Sequence, residues 1–292
     1  MARKLSEGRT EVVVRKARAS DKQPLMRFVK RIWRGHDYIP FVWDRWLKDP
    51  SGQMFVAEVG GAPVGMNRVK LVEDGSAWFE GARVHPSYRG RGVATALGEN
   101  SVKYAHERGA RTYRLASRSN NWPAHRQVAR MGFTEKTRVS VYERASTSKF
   151  GRQAGVRSAS ARDLPLLAEQ VEGSREYARM SGLVCSSFTC LSLSRELLAS
   201  RVESGDVLVT EGAAAIVKGG REGRERWKEV CFITGRAKPA MRLVKQVVGA
   251  KPKRLDTIVF LPVGSRLAAP VKEIGFRRST SLIVFERKAA NG

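Results

Sequence analysis

The feature that most constrains the fold is a single order of predicted elements that occurs twice along the chain. A strand, a turn with a Ser-Asp cap and a helix open the first half in EVVVRKARASDKQPLMRFVKRIW, and the same pattern opens the second half in AGVRSASARDLPLLAEQVEG. Paired strands, a further strand, a helix, a strand, a short helix ending in Gly-Phe and a last strand then follow in both halves. The repeat favours two units of about 140 residues over one large fold.

The repeat also predicts the fold class and the domain boundaries. We expect an α/β fold with a mixed sheet (an α+β arrangement) in two tandem domains. The segment STSKFGRQAGV, residues 146–156, lacks apolar periodicity and is rich in Ser, Gly and basic residues, as is typical of a linker. We therefore predict a first domain over residues 1–146, a linker over 147–156 and a second domain over 157–292.

The bulk composition excludes some classes of protein. With 42% hydrophobic residues the chain can bury a core, and no apolar run approaches the roughly 20 residues of a membrane span. The N-terminus has basic residues but no apolar block behind them, unlike a secretory signal. The three cysteines, Cys185, Cys190 and Cys231, are an odd number without metal-ligand spacing. We therefore expect incidental free thiols in a reduced, cytoplasmic protein without a metal.

The net charge is high and is distributed along the whole chain. There are 54 Lys and Arg residues against 28 Asp and Glu residues, a formal net charge of +26. Residues 1–150 hold 29 basic and 14 acidic side chains, and residues 151–292 hold 25 and 14, so the excess is not a basic arm. A globally basic surface, attraction to nucleic acid or another acidic partner, and attraction to a polyanionic cofactor all stay open, because charge alone does not distinguish them.

The segment EGARVHPSYRGRGVATALGE, residues 80–99, places Arg-Gly-Arg-Gly between a predicted strand and a predicted helix. The free N–H groups and the dipole of a helix N-terminus, equivalent to roughly +0.5 charge, bind phosphate. Gly90 and Gly92 allow the backbone to approach an anion closely, and Arg89 and Arg91 can add charge-assisted contacts. A basic turn with flexible glycines is the simpler alternative. We predict a cradle for a diphosphate.

Two motifs in this half resemble those of the GCN5-related N-acetyltransferases (GNAT). R-x-x-G-x-A at residues 89–94, after a strand that ends V-H-P at 84–86, resembles the acetyl-CoA pyrophosphate loop of that family. N-x-x-A at 121–124, then Val128 and G-F at 132–133, resembles its second signature stretch, in the family's order and separation. The resemblance implies acetyl-CoA as cosubstrate. The cofactor-binding residues it implies are Val84, Arg89, Gly90, Arg91, Gly92, Val93, Ala94 and Asn121.

A narrower resemblance concerns the acceptor. WRGHDYIPFVWDRWLKDP at 33–50, with the loop segment downstream, resembles the histidine N-acetyltransferase branch of the family, whose chains have two domains. This likeness covers nearly all of the first half, whereas over the second half it rests on element order alone. The segment FITGRAKPAMRLV at 232–244 has no R-x-x-G-x-A, so we expect a degenerate second domain that does not bind the cofactor diphosphate.

The chemistry that the resemblance implies is attack of an amine on a thioester. The N–H of Val84 is the family's usual donor to the acetyl carbonyl, and such donors contribute on the order of 10²–10³ in rate. Strand alternation places Glu80, Ala82 and Val84 on one face, which makes Glu80 our candidate general base; a base contributes roughly 10²–10⁴. An ion pair with a neighbouring arginine, or binding of the substrate ammonium without proton transfer, are equally weighted alternatives for Glu80.

The general acid is missing from the pattern. The family commonly has Tyr at the position of Val128, and Tyr142 and His125 are weak substitutes, each better explained as structural or solvated. Because the CoA thiol resembles that of Cys, with a pKa of about 8.5, it can leave largely as thiolate. Loss of the acid therefore lowers the efficiency without preventing catalysis.

Aromatic and acidic residues between the first two helices form the candidate acceptor site. Aromatic rings with carboxylates suit an ammonium or imidazole group. We predict that Trp33, Asp37 and Tyr38 bind the substrate, and that Trp46 anchors a helix in the core. The chain is thus predicted to acetylate a primary amine of a small molecule or amino acid such as histidine. Alternatives are acetylation of a protein or RNA-associated amine, and a non-catalytic basic module that binds acetyl-CoA or nucleic acid.

Overall fold

The computed structural model of the chain describes four stretches, which form two compact units. The first unit contains the described residues up to Leu115, then Pro123–Thr134 and the chain end from Glu286; the second contains Ala116–Trp122 and the described residues between Glu135 and Phe285. The described stretches are residues 11–144, 150–222, 225–249 and 255–289, without the side chains of 33–34, 220–222, 225–226 and 255.

The first unit has a five-stranded sheet in the order β1-β2-β3-β4-β5. Its neighbours pair antiparallel except for the parallel pair β4–β5. The strands are β1 Val13–Lys16, β2 Gly52–Val59, β3 Ala62–Leu71, β4 Ala77–Val84 and β5 Thr112–Arg118. The helices are α1 Lys22–Val29, α2 Ile39–Lys48, α3 Val93–Glu107 and α4 Trp122–Arg130, with 3-10 turns at Ile32–Gly35 and Pro86–Tyr88.

The two faces of this sheet are covered by different helices. Apolar side chains of α1 and α2 pack with Met54, Val56 and Met66 on one face. On the other face α3 lies against β3, where Asn67 Nδ2 donates to Ser101 Oγ at 2.8 Å. A Cβ at Gly65 would lie 2.9 Å from a methyl of Val93, so glycine is needed for this close approach. The packing therefore holds the first turn of α3 beside the end of β4.

A β-bulge interrupts β4 shortly before the strand ends. Glu80 lies opposite Arg68 on β3, and Arg83 lies opposite Met66, so two residues of β4 face a single residue of β3. Gly81 in the bulge has a φ of 70°, which a residue with a Cβ adopts only at a cost. The bulge inserts one extra residue, and the side chains that follow it change faces.

The bulge corrects one step of the sequence analysis. Strand alternation predicted that Glu80, Ala82 and Val84 share a face, and for Glu80 and Val84 this is wrong. Val84 lies opposite Gly65 and Glu80 lies opposite Arg68, three residues further along a regular part of β3. An odd separation places the two on opposite faces, so Glu80 is on the α2 face and Val84 on the α3 face.

The strands of the second unit lie in the order β14-β6-β13-β12-β11-β10-β7, with both parallel and antiparallel pairs. The strands are β6 Thr134–Arg144, β7 Arg157–Ser158, β10 Val207–Thr210, β11 Ala213–Glu222, β12 Glu225–Gly235, β13 Leu255–Pro262 and β14 Arg277–Lys288, and β8 Leu183–Ser186 pairs with β9 Thr189–Ser192 as a separate hairpin. The helices are α5 Leu164–Glu172, α6 Arg175–Arg179, α7 Arg195–Glu203, α8 Ala237–Val248 and α9 Ala268–Glu273.

The predicted repeat is visible inside each unit. In the first, the parallel pair β4–β5 ends at Phe79 and Leu115, although β4 continues to Val84. In the second, the parallel pair β12–β13 ends at Val230 and Val259, although β12 also continues beyond it. Strands β4 and β12 each have a register shift just after the parallel pairing ends. The predicted α/β mixed-sheet fold class is confirmed.

The division into units differs from the sequence-based boundaries. Strand β6, predicted as the last strand of the first domain, pairs antiparallel with β13 of the second unit, with Arg144 opposite Thr257 and Val139 opposite Pro262. Conversely, the last residues of β14 belong to the first unit, where Glu286 binds Arg114 at 2.7 Å. Each unit is thus built from both halves of the sequence, and the predicted domain and linker boundaries stay a prediction.

The cysteines correct a second expectation. Cys185 and Cys190 lie opposite each other in the β8–β9 hairpin and form a disulfide, while Cys231 is free and buried. The expectation of three free thiols is wrong, because the hairpin register brings together two residues that the sequence shows only as a spacing. Within the described residues, no helix combines the length and the apolar character that crossing a membrane requires.

Candidate active site

The glycines of the Arg-Gly-Arg-Gly segment shape the start of α3. Gly90 and Gly92 have φ of 76° and 81°, and a Cβ added at either would meet no atom within 4 Å. The first i→i−4 bond of α3 runs from Ala96 N–H to Gly92 O at 2.9 Å. The N–H groups of residues 93–95 therefore have no partner within the helix. The segment is an exposed turn with open space at both glycines, at the positive end of a helix dipole.

The side chains around this turn are either basic or part of the local packing. Arg89 and Arg91 are exposed, and the Arg91 guanidinium lies 5.4 Å from the centre of the Tyr88 ring. His85 accepts a hydrogen bond from Ser87 N–H on Nδ1 at 3.2 Å, so it stabilises the 3-10 turn before the loop. In the helix itself Val93 is buried and Ala94 is partly buried. The two arginines are thus free to reach an anion above the loop.

These features fit a diphosphate, and the corresponding junction of the second unit does not. There a Cβ at Gly235 would lie 2.3 Å from the carbonyl oxygen of Gly212, so backbone already fills the space. The N–H of Arg236, at the start of α8, donates to the same oxygen at 3.0 Å. The contrast supports the prediction that the second domain is degenerate.

The N–H of Val84 points toward the unpaired side of β4. His85 N–H donates to Val64 O on β3 at 2.8 Å. Successive N–H groups of a strand point in opposite directions, so the N–H of Val84 points away from β3. On that side the pairing with β5 has already ended, at Phe79 and Leu115. A carbonyl oxygen in this gap could accept the Val84 hydrogen bond.

Asn121 belongs to the segment Ala116–Trp122, which is part of the second unit. It lies in the turn before α4, where its N–H donates to Arg118 O at 2.9 Å. Its role in binding the cofactor stays a prediction.

Glu80 is part of a group of charges that surrounds the buried Arg68 on the α2 face. Arg68, whose side chain is 2% exposed, forms ion pairs with Glu80 through Nη1 and with Asp49 through Nη2. Its guanidinium lies 5.0 Å from the centre of the Trp46 ring. The other carboxylate oxygen of Glu80 lies 3.7 Å from Lys70 Nζ. The arginine ion pair that the sequence analysis held as an alternative for Glu80 is therefore present.

Burial affects the proton equilibria of this group of charges. Desolvation would raise the pKa of Asp49, but hydrogen bonds from Ser51 and the charge of Arg68 outweigh it and hold that pKa below its usual range. Desolvation lowers the pKa of Lys70, against the opposing charge of Glu80. Positive and negative groups alternate here, which limits the cost of burying each of them.

Asp37 and Tyr38 lie at the start of α2, close to the end of β4. The fully buried side chain of Asp37 accepts two hydrogen bonds from Arg83 and one from the N–H of Ile39. Tyr38 is 46% exposed, with its ring centre 5.5 Å from the Arg83 guanidinium and 5.8 Å from that of Trp46. Desolvation raises the pKa of Tyr38 to about 12 despite this exposure, so the hydroxyl keeps its proton at neutral pH.

The remaining candidates have structural surroundings. Val128 is buried on α4, Tyr142 lies in the core of the second unit, and Trp46 is buried against α1 and the sheet, as predicted. Trp33 lies in a 3-10 turn, and its side chain is outside the described residues. Substrate binding by Trp33, Asp37 and Tyr38 stays a prediction. Among the described residues, no group of three or more His, Cys, Asp or Glu side chains is arranged to hold a metal ion.

The sequence analysis missed Arg68 and Arg83. Both are charged residues inside strands: Arg83 lies between Ala82 and Val84, and Arg68 lies between Asn67 and Val69, in strands that otherwise contain many apolar residues. A buried charge requires a partner, but the partner's identity depends on the β3–β4 register and on the bulge. The sequence alone therefore indicates that such arginines have partners without showing which.

Comparisons with known proteins find N-acetyltransferases among the proteins similar to this chain. Residues 22–133 match the model of the Acetyltransferase (GNAT) family. The chain is 31% identical over 141 residues to an uncharacterized N-acetyltransferase of Methanocaldococcus jannaschii, covering 42% of this chain and 61% of that protein. It is 33% identical over 82 residues to a histidine N-acetyltransferase of Oreochromis niloticus, covering 28% and 24%. The chain thus spans less than two thirds of either relative.

The fold comparison extends over almost the whole chain. A GCN5-related N-acetyltransferase from Sphaerobacter thermophilus superposes with a TM-score of 0.64 at 14% identity, covering 96% of each chain. At this identity the likeness shows the fold alone. Residues 22–133 are therefore similar to the GNAT acetyltransferases, and the fold of the chain is similar to that of a GCN5-related N-acetyltransferase.

Proposed function

We propose that this chain transfers the acetyl group of acetyl-CoA to a primary amine. The observation that carries the proposal is the open space around Gly90 and Gly92 at the start of α3, together with the N–H of Val84, which points away from β3 on the unpaired side of β4. The free N–H groups of the first helical turn, with Arg89 and Arg91, would hold the diphosphate. Acetyl-CoA supplies the thioester; every other group in the reaction comes from the chain or the acceptor.

The chain's residues act on the carbonyl oxygen and on the amine proton. The amine nitrogen forms a bond to the acetyl carbonyl carbon, the carbon–sulfur bond breaks, and the electron pair leaves with sulfur as thiolate. The N–H of Val84 stabilises the negative charge that develops on the carbonyl oxygen. Glu80, which lies on the α2 face of the sheet and not on the face of Val84, accepts the proton that the amine loses. With the apolar Val128 at the position of the family's usual Tyr, the thiolate leaves without an acid, as its pKa of about 8.5 allows.

The acceptor in this proposal is a small molecule or amino acid, of which histidine is an example. The similarity to a histidine N-acetyltransferase supports it. The half-exposed Tyr38 ring, next to the Asp37–Arg83 pair, offers an aromatic face to an ammonium or imidazole group.

The test is release of CoA thiol across a panel of free amino acids, polyamines and basic peptides, with the wild-type chain and Glu80→Gln. Saturable turnover on a free amine that falls roughly 10²-fold or more in the variant supports the proposal. Turnover on peptides alone would move the acceptor to a protein amine. Binding of acetyl-CoA without thiol release from any acceptor would overturn the enzymatic function.

A further inference from the structure

We propose that Arg68 is a positioning residue for acetyl transfer: it fixes the carboxylate of Glu80 so that a single oxygen faces the acceptor amine. The inference rests on the proposed function and deepens its account of the proton transfer. The Arg68 side chain is 2% exposed, whereas that of Glu80 is 17% exposed.

The contacts assign a different partner to each oxygen of Glu80. Oε1 accepts from Nη1 of Arg68, whereas Oε2 has Lys70 Nζ at 3.7 Å, beyond hydrogen-bonding distance. Oε1 is thus held from the interior. Oε2, which accepts no hydrogen bond from Arg68, is the oxygen that the proposal assigns to the acceptor amine.

The guanidinium is itself held on several sides. Nη2 pairs with Asp49, and the Trp46 ring lies 5.0 Å away. At Gly52 an added Cβ would lie 2.8 Å from Nη2, so the neighbouring strand leaves only enough room for glycine. A planar guanidinium can bridge two carboxylates in a fixed geometry, which an ammonium cannot do.

Stability alone is a poor explanation for these charges. A buried ion pair repays its desolvation only in part, and apolar residues of similar size are often as stable. Arg68 Nε is buried without a hydrogen-bond partner, which adds to the cost. The group lies where β4 separates from β5, one residue after their last pair at Phe79. A costly buried arginine with two carboxylate partners, where two strands separate, favours a functional role.

The first unit contains a matched control. Arg114 is similarly buried, with 4% of its side chain exposed, and it also bridges two carboxylates, those of Asp74 and Glu286. Arg114→Met removes the same chemistry from the same unit without touching Glu80. A loss of activity that merely reports lost stability should therefore appear equally in Arg68→Met and Arg114→Met.

The experiment is a double-mutant cycle on the full chain, with kcat for thiol release and the Kd of acetyl-CoA as readouts. Arg68→Met is expected to lower kcat about as far as Glu80→Gln does, roughly 10²-fold, with the Kd unchanged. In the Glu80→Gln background it should lower kcat by less than about twofold further, because its effect is exerted through that carboxylate. Arg68→Lys should recover part of the rate.

Two outcomes overturn the positioning role while acetyl transfer stands. One is an equal factor for Arg68→Met in both backgrounds, or the same loss in Arg114→Met. The other is an active wild type whose rate Glu80→Gln leaves unchanged. If Arg68→Met does not fold, Arg68→Lys and the more exposed Asp49→Asn complete the same cycle. If the wild-type chain binds acetyl-CoA but releases no thiol, the proposed function fails and the inference fails with it.

Discussion

Arg83 donates two hydrogen bonds to Asp37, from Nε to Oδ2 at 2.6 Å and from Nη2 to Oδ1 at 3.1 Å, and so joins the end of β4 to the start of α2. The end of β4 presents the Val84 N–H, and the start of α2 presents Tyr38. The pair thus fixes the candidate carbonyl site relative to the candidate acceptor surface. The Asp37 side chain is fully buried and accepts a third hydrogen bond from the N–H of Ile39.

Breaking this pair should be costly. Arg83→Met is expected to lower the free energy of unfolding by about 3 kcal/mol, because it leaves the Asp37 carboxylate buried without its cation. Urea denaturation measures the change. Lys22→Met is the control: its partner Asp44 is 70% exposed, so its loss should change the free energy of unfolding by less than about 1 kcal/mol. Equal losses in the two variants would contradict a buried, stabilising contact at Asp37.

The loop at α3 predicts a loss of affinity that backbone strain does not explain. Gly90→Ala places a Cβ in the open space at the loop, where the diphosphate would lie. It should weaken acetyl-CoA binding about tenfold, or about 1.4 kcal/mol. Gly109→Ala is the matched control, because Gly109 also has a positive φ, 88°, and open space around it, at the far end of α3. Both variants carry a similar strain of about 1 kcal/mol.

Isothermal titration calorimetry with acetyl-CoA separates backbone strain from loss of the binding space. Strain lowers the stability of both variants, whereas a Cβ at the diphosphate site lowers the affinity of Gly90→Ala. If Gly109→Ala weakened binding as much as Gly90→Ala, the loop would not be the diphosphate site.

The sequence predicted local features of the site well. The loop is contiguous, and its two arginines and two glycines lie within four residues. The motif alone therefore indicated a helix N-terminus with open backbone. The repeated element order predicted the mixed sheets for the same reason, because each element's pattern lies within its own segment.

Features that depend on register could not be predicted. The extra residue at Gly81 moved Glu80 to the face opposite Val84, and no pattern of apolar residues marks a bulge. The ion pair between Arg68 and Glu80 and the disulfide of the β8–β9 hairpin depend on which residues of two strands are opposite. The pairing of β6 with β13 likewise joins segments that are far apart in the chain, which a short-range pattern does not encode.

Glu229 should make the stability of the second unit depend on pH. Its buried carboxylate accepts hydrogen bonds from Ser186 and from Ser187 N–H, yet desolvation outweighs them and raises its pKa above the usual range. The folded state therefore binds this proton more tightly than the unfolded state. The resulting stability is present below about pH 4.5 and is lost as the pH rises through the folded-state pKa. Glu229→Gln should gain stability relative to wild type from pH 4 to pH 7.

Asp163→Asn provides a control of opposite sign. Hydrogen bonds from Arg157 lower the pKa of Asp163, so its stabilising effect is present at neutral pH and is lost as the pH falls. This variant should lose its disadvantage toward pH 3. Urea denaturation across the pH range measures both trends, and a Glu229→Gln difference that stays constant with pH would contradict the raised pKa.

The cysteines allow a count that tests the hairpin directly. The chain has three cysteines, and the structure pairs two of them, so denaturation without reductant should expose a single reactive thiol and denaturation after reduction should expose three. Burial raises the pKa of the Cys231 thiol to about 12, so the native chain should react only slowly with a disulfide reagent at pH 8. Cys231→Ser should remove the single thiol of the unreduced, denatured chain. Three thiols before reduction would contradict the Cys185–Cys190 bond. The native count also sets the background of the CoA-release assay, because a protein that contributes almost no reactive thiol leaves the signal to CoA alone.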